Sequence, residues 1–343
     1  MPDTPTAAVF PGARERAGMY ESFYLRAVSP DRPVGAWIRH TAHKRTGEAP
    51  RGSVWVTLFD VTSGAPFMHK YTTDALNVPT GGWIEIGAGQ GGADAEQAPV
   101  ADGGIMSPGL ARGRCGPARW DLRWESHEPE LRHLGAPLLY RAPLPRTKLT
   151  SPAPSASFSG TIEIAGRPAI LLDGWHGMVG HNWGAEHAER WIWLHGVDFA
   201  GTPGAWLDIA LGRVRVGKAL TPWVANGAMY IDGHRHRVGG LGARGTHVRE
   251  DVHGCALQLG ADGGLRLEAQ VLVPDSAAAG WRYSDPDGSE HDVVNCSVAE
   301  LEVDVRVAGD GRGRLLHTPH GGAYELGMRE HDHGVPLAPF PDG

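Results

Sequence analysis

Apolar and polar residues alternate along much of the chain. Over residues 119–125, Trp120, Leu122 and Trp124 fall on one side of an extended backbone, and Asp121, Arg123 and Glu125 on the other. Residues 301–307 repeat the pattern, with Leu301, Val303, Val305 and Val307 against Glu302, Asp304 and Arg306, and residues 265–273 repeat it again. A period of two sends successive side chains to opposite faces of a strand, so these segments predict antiparallel strands with one covered face. Asp232-Gly233 sits between two alternating arms and carries the residues a type I′ turn requires, which predicts a hairpin over 229–237. Residues 260–264, rich in glycine, predict another. No stretch shows the capped period of an amphipathic helix of three turns or more.

The 49 glycines and 26 prolines lie between short apolar runs, a spacing that suits many strands and not a helical bundle. The expected fold is therefore all-β, built of barrels or sandwiches. Residues 87–100 read as a loop. Residues 143–159, rich in Pro and Ser, read as an extended linker or a crossing between strands. A second boundary candidate is the polar stretch 184–190, ahead of Trp191-Ile-Trp-Leu-His195.

Composition narrows the function. With 41% hydrophobic and 21% charged residues, the chain is neither disordered nor a membrane bundle. A net charge of −7 offers no basic surface for nucleic acid. The three cysteines are scattered, without C-x-x-C spacing, which argues against a disulfide framework and fits a reducing compartment. No apolar run is long enough to span a membrane and residues 1–18 hold no apolar core, so a cytoplasmic location is expected. The 12 Trp and 18 His are the unusual counts, because indole rings must fill cores or line a cavity.

The densest polar and aromatic cluster runs from Asp173 to His195. On an extended chain Trp191, Trp193, His195 and Val197 share a face, and aromatic surface beside imidazole and carboxylate suits an apolar ligand with one polar end. The same residues would serve equally as core filler and loop caps. His40 falls on the face of Ile38 and Ala42 and is expected to point inward. The pairs His234/His236 and His331/His333 lack a third ligand at a recognised spacing, and H-E-x-x-H is absent, so no metal centre is expected. P-loop and G-x-S-x-G signatures are absent too.

His181-Asn182-Trp183-Gly184, followed by Trp191-Ile-Trp193, resembles the AttH-type lipocalin-like family, which includes hydroxyneurosporene synthase (carotenoid 1,2-hydratase). Kievitone hydratase, tocopherol cyclase and the fungal Diels–Alderases look related in fold. The family pattern has an acidic residue before the histidine; here Gly180 stands there, which puts the role of that acid in question. The resemblance implies two lipocalin-like antiparallel β-barrel domains packed together, over residues 1–185 and 186–343, and no cofactor. It implies a hydratase or cyclase acting on an apolar isoprenoid-like or polyketide-like molecule, or a non-catalytic carrier of such a molecule. His181 and Glu186 are the expected reactive pair, with Glu189 and Asp198 as further acids. Asn182, Trp183, Trp191, Trp193, His195 and His40 are the expected ligand contacts.

Overall fold

The computed structural model describes residues 6–13, 17–87, 101–240, 245–307, 313–330 and 333–340, and is nearly all β. Among the described residues there is no α-helix, only four 3-10 turns, and no helix long and apolar enough to cross a membrane. A twelve-stranded sheet curls into a nearly closed barrel and a ten-stranded sheet follows it in the chain. In the first sheet the opening strand Met19–Val28 pairs with the last, Ile170–Gly184. The second sheet does likewise: Arg190–Gly196 pairs with Gly313–Met328. Residues 185–189 link the two.

The alternating segments lie where their period puts them. Ala118–Glu125 and Leu265–Leu272 are buried at every second residue. Val224–Ile231 and His234–Gly239 form the hairpin, with Asp232 and Gly233 both at positive φ, as a type I′ turn demands. Gly254–Gly260 and Leu265–Leu272 form the second hairpin.

One expectation is corrected. The Pro/Ser-rich stretch is no linker: most of it belongs to the 18-residue strand Thr147–Ile164. Pro152 and Pro154 fall where the pairing with Ile170–Gly184 shifts register, between Thr150 and Ala153 and between Ala153 and Ala156. A bulge leaves backbone groups out of the ladder, so a residue without an N–H costs nothing there. Met19–Val28 and Val34–Lys44 differ from the alternating segments in being buried along nearly their whole length, on both faces. The loop expected over 87–100 lies almost wholly outside the described residues, as does His331 of the H-x-H pair.

Both faces of those strands are covered because the two sheets pack against each other. Phe23, Leu25 and Ala27 point into the core of the first sheet. Tyr24 points the other way and packs with Met178, Trp193 and Ala323 between the sheets. Arg26 lies on this second face, fully buried. Its guanidinium donates to the carbonyls of Ser297 and Gly322, each at 2.9 Å, and lies 3.0 Å from His195 Nδ1, so three groups of the second sheet hold one cation of the first. Burial lowers its pKa to about 10, which leaves it charged at neutral pH.

Arg26→Ala removes the donor and strands three buried acceptors, so we expect a stability loss of about 3 kcal/mol. Urea unfolding measures it; a loss under about 1 kcal/mol would show that the cation does not hold the sheets together.

Candidate active site between the sheets

Strand alternation sorts the expected site residues into two places. Phe23, His40 and His181 face the interior of the first sheet. Tyr24 and Trp193 meet between the sheets, where His195 joins Arg26. Asn182 alternates with His181 and therefore shares the intersheet side. Val197, beyond the end of the Arg190–Gly196 strand, turns instead into the core of the second sheet.

His181 does not pair with Glu186. Its Nε2 lies 2.6 Å from Glu21 Oε1. Its ring is stacked between Phe23 at 4.2 Å and Trp183 at 4.6 Å. The Glu21 carboxylate also accepts the backbone N–H groups of Val9 and Phe10, each at 2.7 Å. Glu186 follows the end of the Ile170–Gly184 strand and reaches Arg146 and Arg329 instead. Glu189 is engaged by Arg215 and Arg329. Asp198, at positive φ, pairs with His176 at 2.5 Å. His40 is fully buried edge-on to Trp120, and neither ring nitrogen has a partner among the described residues.

Between the sheets, polar groups gather around aromatic rings. The Glu325 carboxylate accepts Trp191 Nε1–H at 2.8 Å, Asn295 Nδ2–H at 3.2 Å and the Tyr283 hydroxyl at 3.3 Å. Trp193, paired in register with Glu325, meets the Tyr24 ring edge-on at 5.9 Å. Burial raises the Tyr24 and Tyr283 phenols well above their ordinary value, so both remain neutral donors. The Tyr283 hydroxyl is used; the Tyr24 hydroxyl has no hydrogen-bond partner among the described residues. The side-chain carbonyl oxygens of Asn182 and Asn295 are buried without partners as well. Gly180 lies opposite Tyr24 in register, and a Cβ there would come within 2.2 Å of the Tyr24 ring. The missing acid therefore makes room for a phenol.

Two further nodes escaped the sequence. Asp208 of the second sheet accepts Ser151 Oγ–H at 2.6 Å, Trp193 Nε1–H at 3.1 Å and His133 Nε2–H at 3.2 Å. Burial alone would raise its carboxyl, but His133 and Ser151 hold it below its ordinary value. Asp285 bridges two imidazoles: His187 Nδ1 at 2.6 Å and His291 Nε2 at 2.9 Å. Burial would raise this carboxyl too, and the two histidines outweigh it and keep it ionised. Asp285 and His291 lie about a hundred positions from His187, beyond the reach of any local spacing rule. Only the count of 18 His beside scattered acids hinted at such pairs. A groove of about 360 Å³, lined by Arg114, Ala118, Glu163 and Arg167 among others, opens elsewhere on the first sheet and touches none of these groups.

Comparison with known proteins bears on the fold. No family model matches the chain. Two uncharacterised proteins of Mycobacterium tuberculosis, MT0513 (strain CDC 1551 / Oshkosh) and Rv0493c (strain ATCC 25618 / H37Rv), are each 24% identical over 328 residues, covering 95% of this chain and 92% of theirs. Among solved structures, CghA with Sch210972 superposes with a TM-score of 0.59 at 12% identity, over 92% of this chain and 90% of CghA. The AttH-type protein NE1406 of Nitrosomonas europaea gives 0.52 at 13% identity, over 94% and 97%. The chain has the lipocalin-like AttH fold. Kievitone hydratase from Nectria haematococca shares it, with a TM-score of 0.50 at 9% identity over 91% and 89%. At such identities the likeness is one of fold, and function has to be argued from the residues of the site.

Burial pushes His40 down to about 3 and His195, beside Arg26, down to about 4. Both rings titrate near 6.5 once unfolded, so the unfolded chain binds more protons below that value. Stability is thus complete above about pH 6.5 and falls as pH drops toward the folded values, by about 2 kcal/mol per ring at about pH 5. Urea unfolding at the two pH values checks the sign, and His40→Leu should remove roughly half of the fall. A pH-independent midpoint would contradict the burial argument.

Proposed function

We propose that the chain binds an apolar small molecule, isoprenoid-like or polyketide-like, between its two sheets and acts on it as a hydratase or cyclase. One observation carries this reading: the Tyr24 phenol is neutral, sits in an aromatic layer and is unused by the protein. A donor on a ring packed between the sheets, with no hydrogen-bond partner among the described residues, is available to a ligand. In this reading Tyr24 gives its hydrogen bond to the polar end of the substrate, where charge develops as the bond is made. The indoles of Trp191 and Trp193 flank the carbon skeleton and steady cationic character through their faces. Glu325, fixed by Trp191, Tyr283 and Asn295, is the group that exchanges the proton. His181 and Glu21 hold the adjoining strands in register from the inner face of the first sheet, as positioning residues. The AttH fold of kievitone hydratase and of CghA, solved with Sch210972, supports this reading at the level of architecture.

A carrier without chemistry is the second reading, and Gly180 favours it, since the acid of the family pattern is missing there. Native mass spectrometry of protein purified from its own host identifies the bound molecule under either reading. With that molecule as probe, Tyr24→Phe should lower kcat about 100-fold or more. The melting temperature should move by no more than about 2 °C, because the hydroxyl makes no bond within the fold. Binding without any turnover, unchanged in Tyr24→Phe, would leave the carrier. Unchanged turnover in Tyr24→Phe would remove Tyr24 from the mechanism.

A further inference from the structure

We propose that His187, Asp285 and His291 form a binding site for a borderline divalent cation such as Zn²⁺ or Co²⁺. One ligand atom from each, two imidazole nitrogens and a carboxylate oxygen, lie within 4.8 Å of one another. The side chains are 7%, 0% and 0% exposed. They come from three places: the link between the sheets, the residue after the strand Ala279–Ser284, and the strand Glu290–Val307. The turn between the last two is fixed by hydrogen bonds from Asp285 N–H to the Ser289 carbonyl and from Gly288 N–H to the Asp285 carbonyl, both 2.8 Å. The carboxylate and His291 are therefore set by one hairpin, and His187 is brought to them by its own backbone N–H, which donates to Asp285 Oδ1 at 2.9 Å.

Two nitrogens and one carboxylate are the donor set of open divalent-metal sites, with room left for water or a ligand oxygen. Aromatic rings wall the site: Tyr20 stacks on His187 at 4.2 Å, and Trp191 lies 5.2 Å from His187 and 5.3 Å from His291. Arg329, 3.9 Å from the carboxylate, is itself held by Glu186 at 3.1 Å and Glu189 at 3.4 Å, so its charge is already met. Coordination through His187 Nδ1 and His291 Nε2 leaves each ring's N–H on the opposite nitrogen. Those opposite nitrogens, His187 Nε2 and His291 Nδ1, have no partners among the described residues. Outer-shell partners contribute about 10–100-fold to metal affinity, so this site should bind that much more weakly than a fully supported one. The proposal is independent of the reaction assigned above, because it concerns a cation and needs no organic substrate.

The test uses the full chain, stripped with a chelator, dialysed and titrated with Co²⁺. Visible ligand-field bands should grow to about one equivalent per chain and disappear when Zn²⁺ is added. The melting temperature should rise with Zn²⁺. Asp285→Asn and His291→Gln should each weaken Co²⁺ binding at least about tenfold. A double variant, His234→Ala with His236→Ala, should keep the bands, since it removes only the imidazole pair of the 229–237 hairpin, away from the site. Absence of bands and of any thermal shift in the unsubstituted protein would overturn the proposal without needing either buried variant to fold. Bands that survive Asp285→Asn, or vanish in the double variant, would overturn it as well.

Discussion

Strands covered on both faces impose the governing constraint. Met19–Val28 and Val34–Lys44 send one set of side chains into their own sheet and the other set against the second sheet. The second set is not apolar: it contains Tyr20, Ser22, Arg26, Arg39, Thr41 and His43. Every polar atom taken from water there needs a partner, and a charged one needs several. The register of the two sheets is accordingly tied to polar matches across the layer. Arg26 finds carbonyls of the second sheet, and Asp208 finds His133 and Ser151 of the first. Hydrophobic burial drives the sheets together, while these matches restrict how they can sit.

The histidine excess follows from the same constraint. An imidazole can stay neutral in a buried layer and still donate to a carboxylate, which lysine and arginine cannot do without burying charge. Glu21, Asp208 and Asp285 each pair with histidine, and each carboxylate is also met by backbone or hydroxyl donors. The groups that remain without partners are then informative. The side-chain oxygens of Asn182 and Asn295 are buried without partners among the described residues, and the Tyr24 ring meets Trp193 edge-on on the intersheet side.

What the sequence determined by itself is the local geometry. Period-two patterning set strands and faces, and Asp232-Gly233 set a hairpin, because side-chain alternation and positive φ depend on neighbours only. The inward direction of His40 was legible for the same reason. The tertiary structure alone decided which polar residues meet. His181 finds Glu21 from 160 positions away, not Glu186, and His187 finds Asp285 from 98. Pairing of the first with the last strand of one sheet brings Glu21 to His181, and the hairpin of Ala279–Ser284 with Glu290–Val307 presents Asp285 to His187; no local spacing encodes either. Whether a strand is covered once or twice was likewise beyond the pattern. A polar face reads the same whether it meets water or a second sheet, and only packing supplies the partners that make its burial tolerable.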